Sequence, residues 1–431
     1  MEHLLEFLSL SDPNVRYVVI GSILLAASSA IVGTFTLLKK KALVGDAVAH
    51  SVLPGVCLAF ILSGEKNPVY LIIGAFVTGW LSLVLIDFIT AKSKIKEDTA
   101  IGLILSVFFG IGILMITVIQ KSGNAAQSGL DHFLFGQAAS LVGSDLLVFS
   151  SIALILMASV WLFFKEFALI AFDTNFAHSI GFPVRALELV LTTLTVLAVV
   201  TGIQAIGVVL MAAMLITPAA AARFWTDKLK VMIWLAAAFG AFSGLVGAYI
   251  SYVAPSMPTG PWIVMIVSLV AVLSFFFAPK KGILFRLFTQ RKYQTQLLEE
   301  NILKLFYQLG ETDNRYYQSR SLDEILEGRP FDILKLKRGL KNLYKQGFLE
   351  FSNAGWAYTR AGKTKGQRIT KLHRLWELYL TEYLRIAPDH VHEDAETIEH
   401  IITPELEKRL EEKLDYPTVD PHQSQIPYRD H

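Results

Sequence analysis

The chain has 431 residues, of which 53% are hydrophobic, and its mean hydropathy of +0.48 excludes an ordinary soluble protein. The formal net charge of +2 is too small to indicate a partner, and the single cysteine, Cys57, excludes a disulfide within the chain. Long apolar runs continue to about Lys280, and the rest of the chain is charged and amphipathic. This shift predicts an integral membrane domain followed by a soluble one.

Apolar runs long enough to cross a bilayer recur before residue 280. Because about 20 apolar residues span the bilayer core as a helix, we predict spans at 17–37, 43–63, 68–90, 100–119, 143–164, 186–203, 205–222, 230–253 and 259–278. Only "TGIQAIG" divides the sixth run from the seventh, so the number of spans is eight or nine. Basic clusters at 38–42, 91–96 and 278–282 favour the cytoplasmic side. They place the N-terminus outside and the C-terminal part in the cytoplasm.

The stretch "LVGDAVAHSVLPG" (43–55) brings polar groups into an apolar run. Asp46 and His50 are four positions apart and share a helix face, where ionisable groups cost about 2.5–3.5 kcal/mol at membrane depth. Such oxygen and nitrogen ligands suit Mn²⁺, Fe²⁺ and Zn²⁺. Pro54 and Gly55 follow, and broken helices commonly line substrate pathways. The alternative is an Asp–His hydrogen bond that only packs the bundle.

One connection between spans, "FDTNFAHSIGFPV" (172–184), is more polar than the others. It is either a plain loop or a short surface helix presented to a cytoplasmic partner. No GxxxxGK[ST] phosphate-binding pattern occurs in the chain. If transport uses ATP, a separate subunit must hydrolyse it, so we do not expect this chain to be an enzyme.

The soluble part begins with an amphipathic helix, "LLEENILKLFYQL". A helix, a turn, a second helix over about 331–345 and two short strands follow, which predicts a winged helix. The second helix carries basic residues that suit the phosphates of the DNA major groove, namely Lys335, Lys337, Arg338, Lys341 and Lys345. A charged helix that only faces solvent is the alternative.

Histidine and glutamate are concentrated near the C-terminus. His373 and Glu377 lie four positions apart on one predicted helix. A second helical stripe carries His392, Glu396, Glu399 and His400. This ligand set is rich in carboxylates and lacks cysteine, which favours Mn²⁺ or Fe²⁺ over a thiolate zinc site. A solvated helix with the same composition is the alternative.

Three segments carry a resemblance to a known family: "KKKALVGDAVAHSVLPGVCLAF", "FDTNFAHSIGFPV" and "GVVLMAAMLITPAAAARFWTD". Over about residues 10–280 the chain resembles the manganese/zinc/iron ABC-transporter permeases. The resemblance implies that Asp46 and His50 bind the metal in the pore, and that a coupling segment contacts the ATPase through Phe172, Asp173, Ala177 and Gly181. It also implies an ATP-binding subunit, an extracytoplasmic metal-binding protein and a pore formed by two copies.

The remainder, about 295–431, resembles metal-dependent repressors of the diphtheria-toxin-repressor class, including their manganese-sensing branch. "LHRLWELYL", "HVHEDAETIEHIITPELEKRLEEKL" and "YPTVDPHQSQIP" carry this match. It implies a DNA-binding winged helix and a helical domain that binds metal and dimerises. By motif, His373, Glu377 and His392 match one metal site, and Glu396, Glu399 and His400 match the other. In the first helix, Glu300 matches one acidic ligand, whereas the position of the second is occupied by Leu303.

We therefore predict a mainly α chain: a polytopic α-helical membrane bundle followed by a cytoplasmic winged helix and a helical metal-binding and dimerisation domain. The expected divisions are a permease domain (1–280), a linker (281–297), the winged helix (298–364) and the metal-binding domain (365–431). The expected function is the permease subunit of an ATP-driven importer of Mn²⁺, Fe²⁺ or Zn²⁺ in the cell membrane. Two alternatives concern the C-terminal part. It is either a membrane-tethered regulator that binds DNA, which proteolysis could release from the membrane, or an allosteric gate through which metal binding stops transport. A secondary transporter or channel is the remaining alternative.

Overall fold

A computed structural model describes residues 6–7, 9–64, 67–121, 143–254, 257–352, 355–384 and 403–428. The chain divides into two compact units, residues 1–286 and residues 287–431. The described part of the first unit is helical throughout, and that of the second unit adds one small sheet.

The helices of the first unit are long and apolar. In chain order they are α1 (Pro13–Leu38), α2 (Val44–Ser51), α3 (Leu53–Ser63), α4 (Pro68–Lys92), α5 (Glu97–Lys121), α6 (Gly143–Leu162), α7 (Phe164–Phe172), α8 (Thr174–Ser179), α9 (Val184–Ile206), α10 (Val208–Trp225), α11 (Leu229–Val253) and α12 (Thr259–Phe277). With α2 and α3 taken together, eight helices among the described residues are long and apolar enough to cross a membrane. The shorter apolar helix Leu210–Trp225 lies within α10 and corresponds to the seventh predicted span.

Residues that stop or cap helices set these boundaries. The Asp12 carboxylate accepts a hydrogen bond from the Asn14 amide at the start of α1, and Asn67 caps α4 in the same way ahead of Pro68. Between α9 and α10, Gly207 has φ +98°, which favours glycine. Gly202 and Met211 contact each other across this point, although a straight helix would separate them by about 13 Å. The chain therefore reverses at Gly207, and α9 and α10 are separate helices.

Helix α1 packs closely against α11 through small residues. A Cβ atom added to Gly240 would lie 2.6 Å from the Ala26 carbonyl oxygen, and one added to Gly244 would lie 2.8 Å from that of Ser22. Such close backbone approach is how helices associate in lipid, where the hydrophobic effect does not drive them together. The bundle therefore depends on glycine at these two positions.

The second unit has the elements of a winged helix followed by two more helices. They are α13 (Ile283–Asp313), α14 (Leu322–Gly328), α15 (Ile333–Lys345), β1 (Leu349–Ser352), β2 (Gly355–Tyr358), α16 (Arg360–Leu384) and α17 (Pro404–Lys413). The strands pair antiparallel from Leu349 with Tyr358 to Ser352 with Gly355, and a single bridge adds Arg320 beside Trp356. Helix α13 begins at Ile283, so most of the segment predicted as a linker (281–297) is helical. Neither glycine nor proline interrupts residues 283–309, which explains this difference.

Charged groups hold the C-terminal segment of the second unit against α16. The buried Arg374 guanidinium donates to both carboxylate oxygens of Glu311, at 2.8 and 2.7 Å, and its Nε lies 3.5 Å from an Asp420 oxygen. Burial alone would lower the pKa of Arg374, but the Glu311 and Asp420 carboxylates outweigh it and raise that pKa. Arg374 therefore stays charged and links α13, α16 and the segment that follows α17.

Candidate metal sites and interfaces

Asp46 and His50 lie on α2, with His50 Nε2 3.5 Å from an Asp46 carboxylate oxygen. Among residues 44–53 these two are the only ones that are not buried. Neighbouring helices therefore cover α2 on every side except the line that carries the carboxylate and the imidazole. The i, i+4 spacing thus gives the predicted side-by-side arrangement of one oxygen and one nitrogen ligand.

One nitrogen of the His50 ring makes no hydrogen bond to the described residues. Its Nδ1 is buried, with no hydrogen-bond partner in the described part of the chain, and the ring lies edge-on to Phe109 of α5 at 5.2 Å. A buried polar atom without a partner costs about 1–3 kcal/mol. The Asp46 carboxylate lies beside the other ring nitrogen, Nε2, so packing among the described residues leaves the imidazole incompletely hydrogen-bonded. This fits less well with a pair that serves packing alone than with one that takes up a cation.

The helix break after His50 is slight. Helix α2 ends at Ser51 and α3 starts at Leu53, while Val52 between them keeps right-handed helical angles. Pro54 has no N–H to donate to the His50 carbonyl, so that group lacks its usual helical partner. The predicted interruption is present, but it frees one carbonyl without unwinding the segment.

The polar ends of several helices surround a cavity of about 380 Å³. Lys39 after α1 pairs with Glu188 of α9. Lys41 Nζ lies 3.5 Å from an Asp87 oxygen of α4 and 3.7 Å from a Glu97 oxygen of α5. We call these five residues the charged end of the first unit. The sequence gives no local signal for the cluster, because Lys39 and Glu188 are 149 positions apart.

Within the segment 172–184, residues Thr174–Ser179 form the short helix α8, so the interpretation of a plain loop was wrong. Asp173 caps the helix by accepting from the Phe176 amide at 2.8 Å, and Ala177 is fully buried. Phe172 and Phe176 are 66% and 53% exposed. Gly181, at φ +87°, ends the excursion. Phe172 is the last residue of α7 and Phe176 lies on α8, and two exposed aromatic rings so close together are typical of an interface.

Helix α15 of the winged helix has two distinct faces. Leu336, Leu340 and Leu343 are buried in the core of the unit. The basic side chains predicted to contact DNA are all exposed, namely Lys335, Lys337, Arg338 and Lys341. The Asp332 carboxylate caps this helix by accepting from the Lys335 amide. The arrangement suits a phosphate-lined groove, and it equally allows the alternative of a solvated helix.

Two of the predicted sensor ligands meet inside the second unit. His373 Nε2 lies 3.1 Å from a Glu377 carboxylate oxygen, and both side chains are almost completely buried. The buried Lys304 of α13 reaches the other side of the ring, with Nζ 3.4 Å from His373 Nδ1. Glu300 lies one turn before Lys304, and its carboxylate accepts from the Gln296 amide group at 2.9 Å. Sequence reasoning missed Lys304, although a lysine four positions after Glu300 on the apolar side of an amphipathic helix was a usable signal.

The other predicted sensor ligands, His392, Glu396, Glu399 and His400, lie outside the described residues. Within the described ranges, no group of three or more histidine, cysteine, aspartate or glutamate side chains is arranged to hold a metal ion. Each candidate site is therefore represented by a pair, Asp46 with His50 and His373 with Glu377.

Comparison with known proteins assigns each part of the chain. Residues 11–278 match the ABC 3 transport family. Residues 359–428 match the iron dependent repressor, metal binding and dimerisation domain. The manganese transport system membrane protein MntC of Bacillus subtilis is 41% identical over 382 residues, which cover 88% of this chain and 87% of that protein. The aligned length exceeds the first unit, so the similarity to this relative continues into the second.

Further relatives match the first unit. The zinc transport system membrane protein TroC of Treponema pallidum is 41% identical over 67% of this chain and 97% of its own length. The structure of PsaBC from Streptococcus pneumoniae in complex with Fab is 35% identical, with a TM-score of 0.58, over 64% of this chain and 97% of that one. These matches confirm both the predicted resemblance and the mainly α fold. The chain belongs to the ABC 3 transport family of membrane permeases and carries a C-terminal domain of the iron-dependent-repressor type.

Proposed function

We propose that this chain is the membrane subunit of an ATP-driven importer of divalent metal ions, and that Asp46 and His50 bind the ion during its passage. The observation that carries the proposal is the Asp46–His50 pair, which occupies the accessible line of the otherwise buried helix α2 and includes a ring nitrogen that has no partner among the described residues. Oxygen and nitrogen ligands suit Mn²⁺, Fe²⁺ and Zn²⁺. The relatives are named for transport of manganese and zinc, which supports this class of cargo.

Two protein ligands are too few for a transition-metal ion, which usually takes four or more. We propose that a second copy of the chain supplies another Asp46 and His50 across a shared pore. The partial exposure of both side chains, 44% for Asp46 and 21% for His50, leaves them accessible for this. An extracytoplasmic metal-binding protein would deliver the ion to the pore.

The charged end and the second unit are proposed to lie in the cytoplasm, since lysine and arginine favour that side of a membrane. Phe172, at the end of α7, and Phe176, on α8, would then face a separate ATP-binding subunit. Asp173 and Gly181 fix the two ends of this coupling segment, and Ala177 anchors it against its neighbours. The chain itself would hydrolyse no ATP.

The second unit is proposed to sense the imported metal through His373, Glu377, His392, Glu396, Glu399 and His400, with Glu300 contributed by α13. Mn²⁺ or Fe²⁺ suits these carboxylate-rich ligands best. A second candidate function is metal-dependent DNA binding, favoured by the exposed basic residues on α15. The match to a repressor-type domain supports either role.

Metal uptake by cells that lack their own importer tests the proposal. The cells would express this chain together with its ATP-binding subunit and metal-binding protein, and uptake of radioactive manganese would be measured. We expect Asp46→Asn and His50→Ala each to lower uptake at least about tenfold, because each removes a ligand from the ion in the pore.

The matched control is Asp98→Asn, which neutralises an exposed carboxylate in the first turn of α5. Uptake should be unchanged in this variant, and the amount of protein in the membrane should be equal in all three. Wild-type uptake by Asp46→Asn at equal abundance would remove the central site from the proposal.

A further inference from the structure

The His373 side chain is surrounded by protein groups at both ring nitrogens. Nδ1 lies 3.4 Å from the Lys304 ammonium and Nε2 lies 3.1 Å from the Glu377 carboxylate. An ammonium group can only donate a hydrogen bond, so Nδ1 must accept one. The ring proton is therefore on Nε2, where it faces the carboxylate. This tautomer satisfies every polar atom of the ring without a metal ion.

Binding of a metal at Nδ1 is blocked by the position of Lys304. A metal–nitrogen bond is about 2.1 Å long. Because Nζ lies in the hydrogen-bonding direction of Nδ1 at 3.4 Å, an ion bound there would be far inside contact distance of the ammonium. It would also meet a like charge in a buried setting, where repulsion is weakly screened.

Binding of a metal at Nε2 meets a different obstacle. The ion would take the lone pair of Nε2 and the ring proton would move to Nδ1, as in other metal-bound histidines, where the second nitrogen donates to an acceptor. Here that proton would point at the Lys304 ammonium, which is also a donor. Either mode of binding therefore requires the ammonium to leave its place.

From this geometry we propose that Lys304 is an affinity-determining residue of the sensor: its ammonium stands in for the divalent ion beside His373 and must be expelled before metal binds. The proposal rests on the metal-sensing role proposed for the second unit. Lys304 belongs to α13 and His373 to α16. Expulsion of the lysine would thus change a contact between the first helix of the winged helix and the helix that follows the sheet.

Metal titration of the full-length chain in detergent tests this proposal, with Mn²⁺ as the probe. His50→Ala and Asp46→Asn are included to silence the transport site, so that binding reports on the second unit. We expect Lys304→Met, which keeps the aliphatic stem and removes the charge, to bind Mn²⁺ at least tenfold more tightly than the chain with Lys304. Lys304→Gln should shift the affinity in the same direction, and Lys304→Arg should leave it weak.

The matched control is Lys371→Met, which removes another largely buried lysine, one that pairs with Glu407 and Glu411. It should leave the Mn²⁺ affinity unchanged. In the Lys304→Met chain, His373→Ala should abolish the gain in affinity. A gain that survives His373→Ala, or equal affinities with and without the charge of Lys304, would overturn the proposal.

A measurement on the native chain does not depend on how the variants fold. Excess Mn²⁺ should accelerate the modification of Lys304 by an amine-reactive reagent, read by mass spectrometry, because the displaced ammonium becomes accessible. An unchanged modification rate would also count against the proposal. Uptake assays on chains with intact Asp46 and His50 are independent of these titrations, so failure of the import function and failure of this inference are distinguishable.

Discussion

His50 and His373 show two opposite ways of holding an imidazole beside a carboxylate. His50 Nδ1 has no hydrogen-bond partner in the part of the chain that the structure describes, and the Asp46 carboxylate beside Nε2 is nearly half exposed. His373 has both nitrogens engaged, by Lys304 and by a Glu377 side chain that is 2% exposed. The first arrangement leaves the carboxylate accessible and the ring incompletely hydrogen-bonded, which suits an ion that binds briefly. The second is complete in itself, so an ion must compete for it.

Phe176 is the residue through which we expect the permease to contact its ATP-binding subunit. Phe176 is 53% exposed, whereas the next residue of α8, Ala177, is fully buried and anchors the helix. Aromatic anchors of this kind cost about 2 kcal/mol or more when truncated. Phe176→Ser should therefore weaken co-purification of the ATP-binding subunit at least tenfold and lower metal uptake in parallel.

The control for Phe176 is Ile95→Ser, which removes an apolar side chain, 42% exposed, from the connection between α4 and α5. Subunit binding should be retained in this variant. Co-purification of Phe176→Ser at the wild-type level would exclude α8 as the coupling contact.

Contacts within one helix could be predicted from spacing, and contacts between helices could not. Asp46 and His50 are four positions apart, as are His373 and Glu377, and each pair lies side by side as the helical repeat requires. Lys304 is 69 positions from His373, and only the packing of α13 against α16 brings them together. The Lys41 contact with Asp87 is hidden in the sequence for the same reason.

At the scale of elements, prediction succeeded where one pattern dominated. Apolar runs predicted the membrane-spanning helices, and the amphipathic pattern predicted the helices of the winged helix. It was less successful where two patterns competed. The "TGIQAIG" stretch left the number of spans open, and the contact of Gly202 with Met211 across Gly207 shows two separate helices there. Residues 281–297 were expected as a linker, and most of them lie in α13 because neither glycine nor proline interrupts residues 283–309.

Helix α15 allows a test of the DNA-binding candidate. Its buried leucines fix the helix in the unit and direct Lys335, Lys337, Arg338 and Lys341 outward. Replacement of all four by alanine should abolish binding of the full-length chain to promoter DNA in the presence of Mn²⁺. Each lysine that contacts a phosphate contributes about 0.9 to the slope of log affinity against log salt, so Lys337→Ala should reduce the slope by about that amount.

Fluorescence anisotropy at several salt concentrations measures both effects. Lys408→Ala is the control, since this exposed lysine lies on α17, outside the winged helix. An unchanged salt slope in the variant lacking all four basic residues would show that α15 does not contact DNA. The alternative of a solvated helix would then be preferred.

At the scale of the whole molecule, two pairs of candidate metal ligands lie in two compact units. The pair in the first unit lies on a membrane-spanning helix, and the pair in the second lies on a helix of the repressor-type domain. If the second unit gates transport, loss of its metal site should remove regulation and spare uptake. If the first unit holds the transport site, loss of that site should leave metal binding by the second unit unchanged.

Glu396→Ala combined with His400→Ala tests this division. We expect the double variant to import manganese at the wild-type rate into metal-poor vesicles, because Asp46 and His50 are intact. It should no longer be inhibited when the compartment on the side of the second unit is preloaded with Mn²⁺. Asp46→Asn should show the reverse behaviour, with uptake lost and Mn²⁺ binding by the second unit retained.

Glu412→Ala combined with Lys408→Ala is a control for general effects on the C-terminal unit, because these residues form an exposed pair on α17. Inhibition by internal Mn²⁺ should persist in that control. If inhibition also persists in the Glu396→Ala and His400→Ala chain, the second unit does not gate transport through these ligands. Regulation at the level of DNA would then be the remaining role for a metal-binding domain fused to a metal permease.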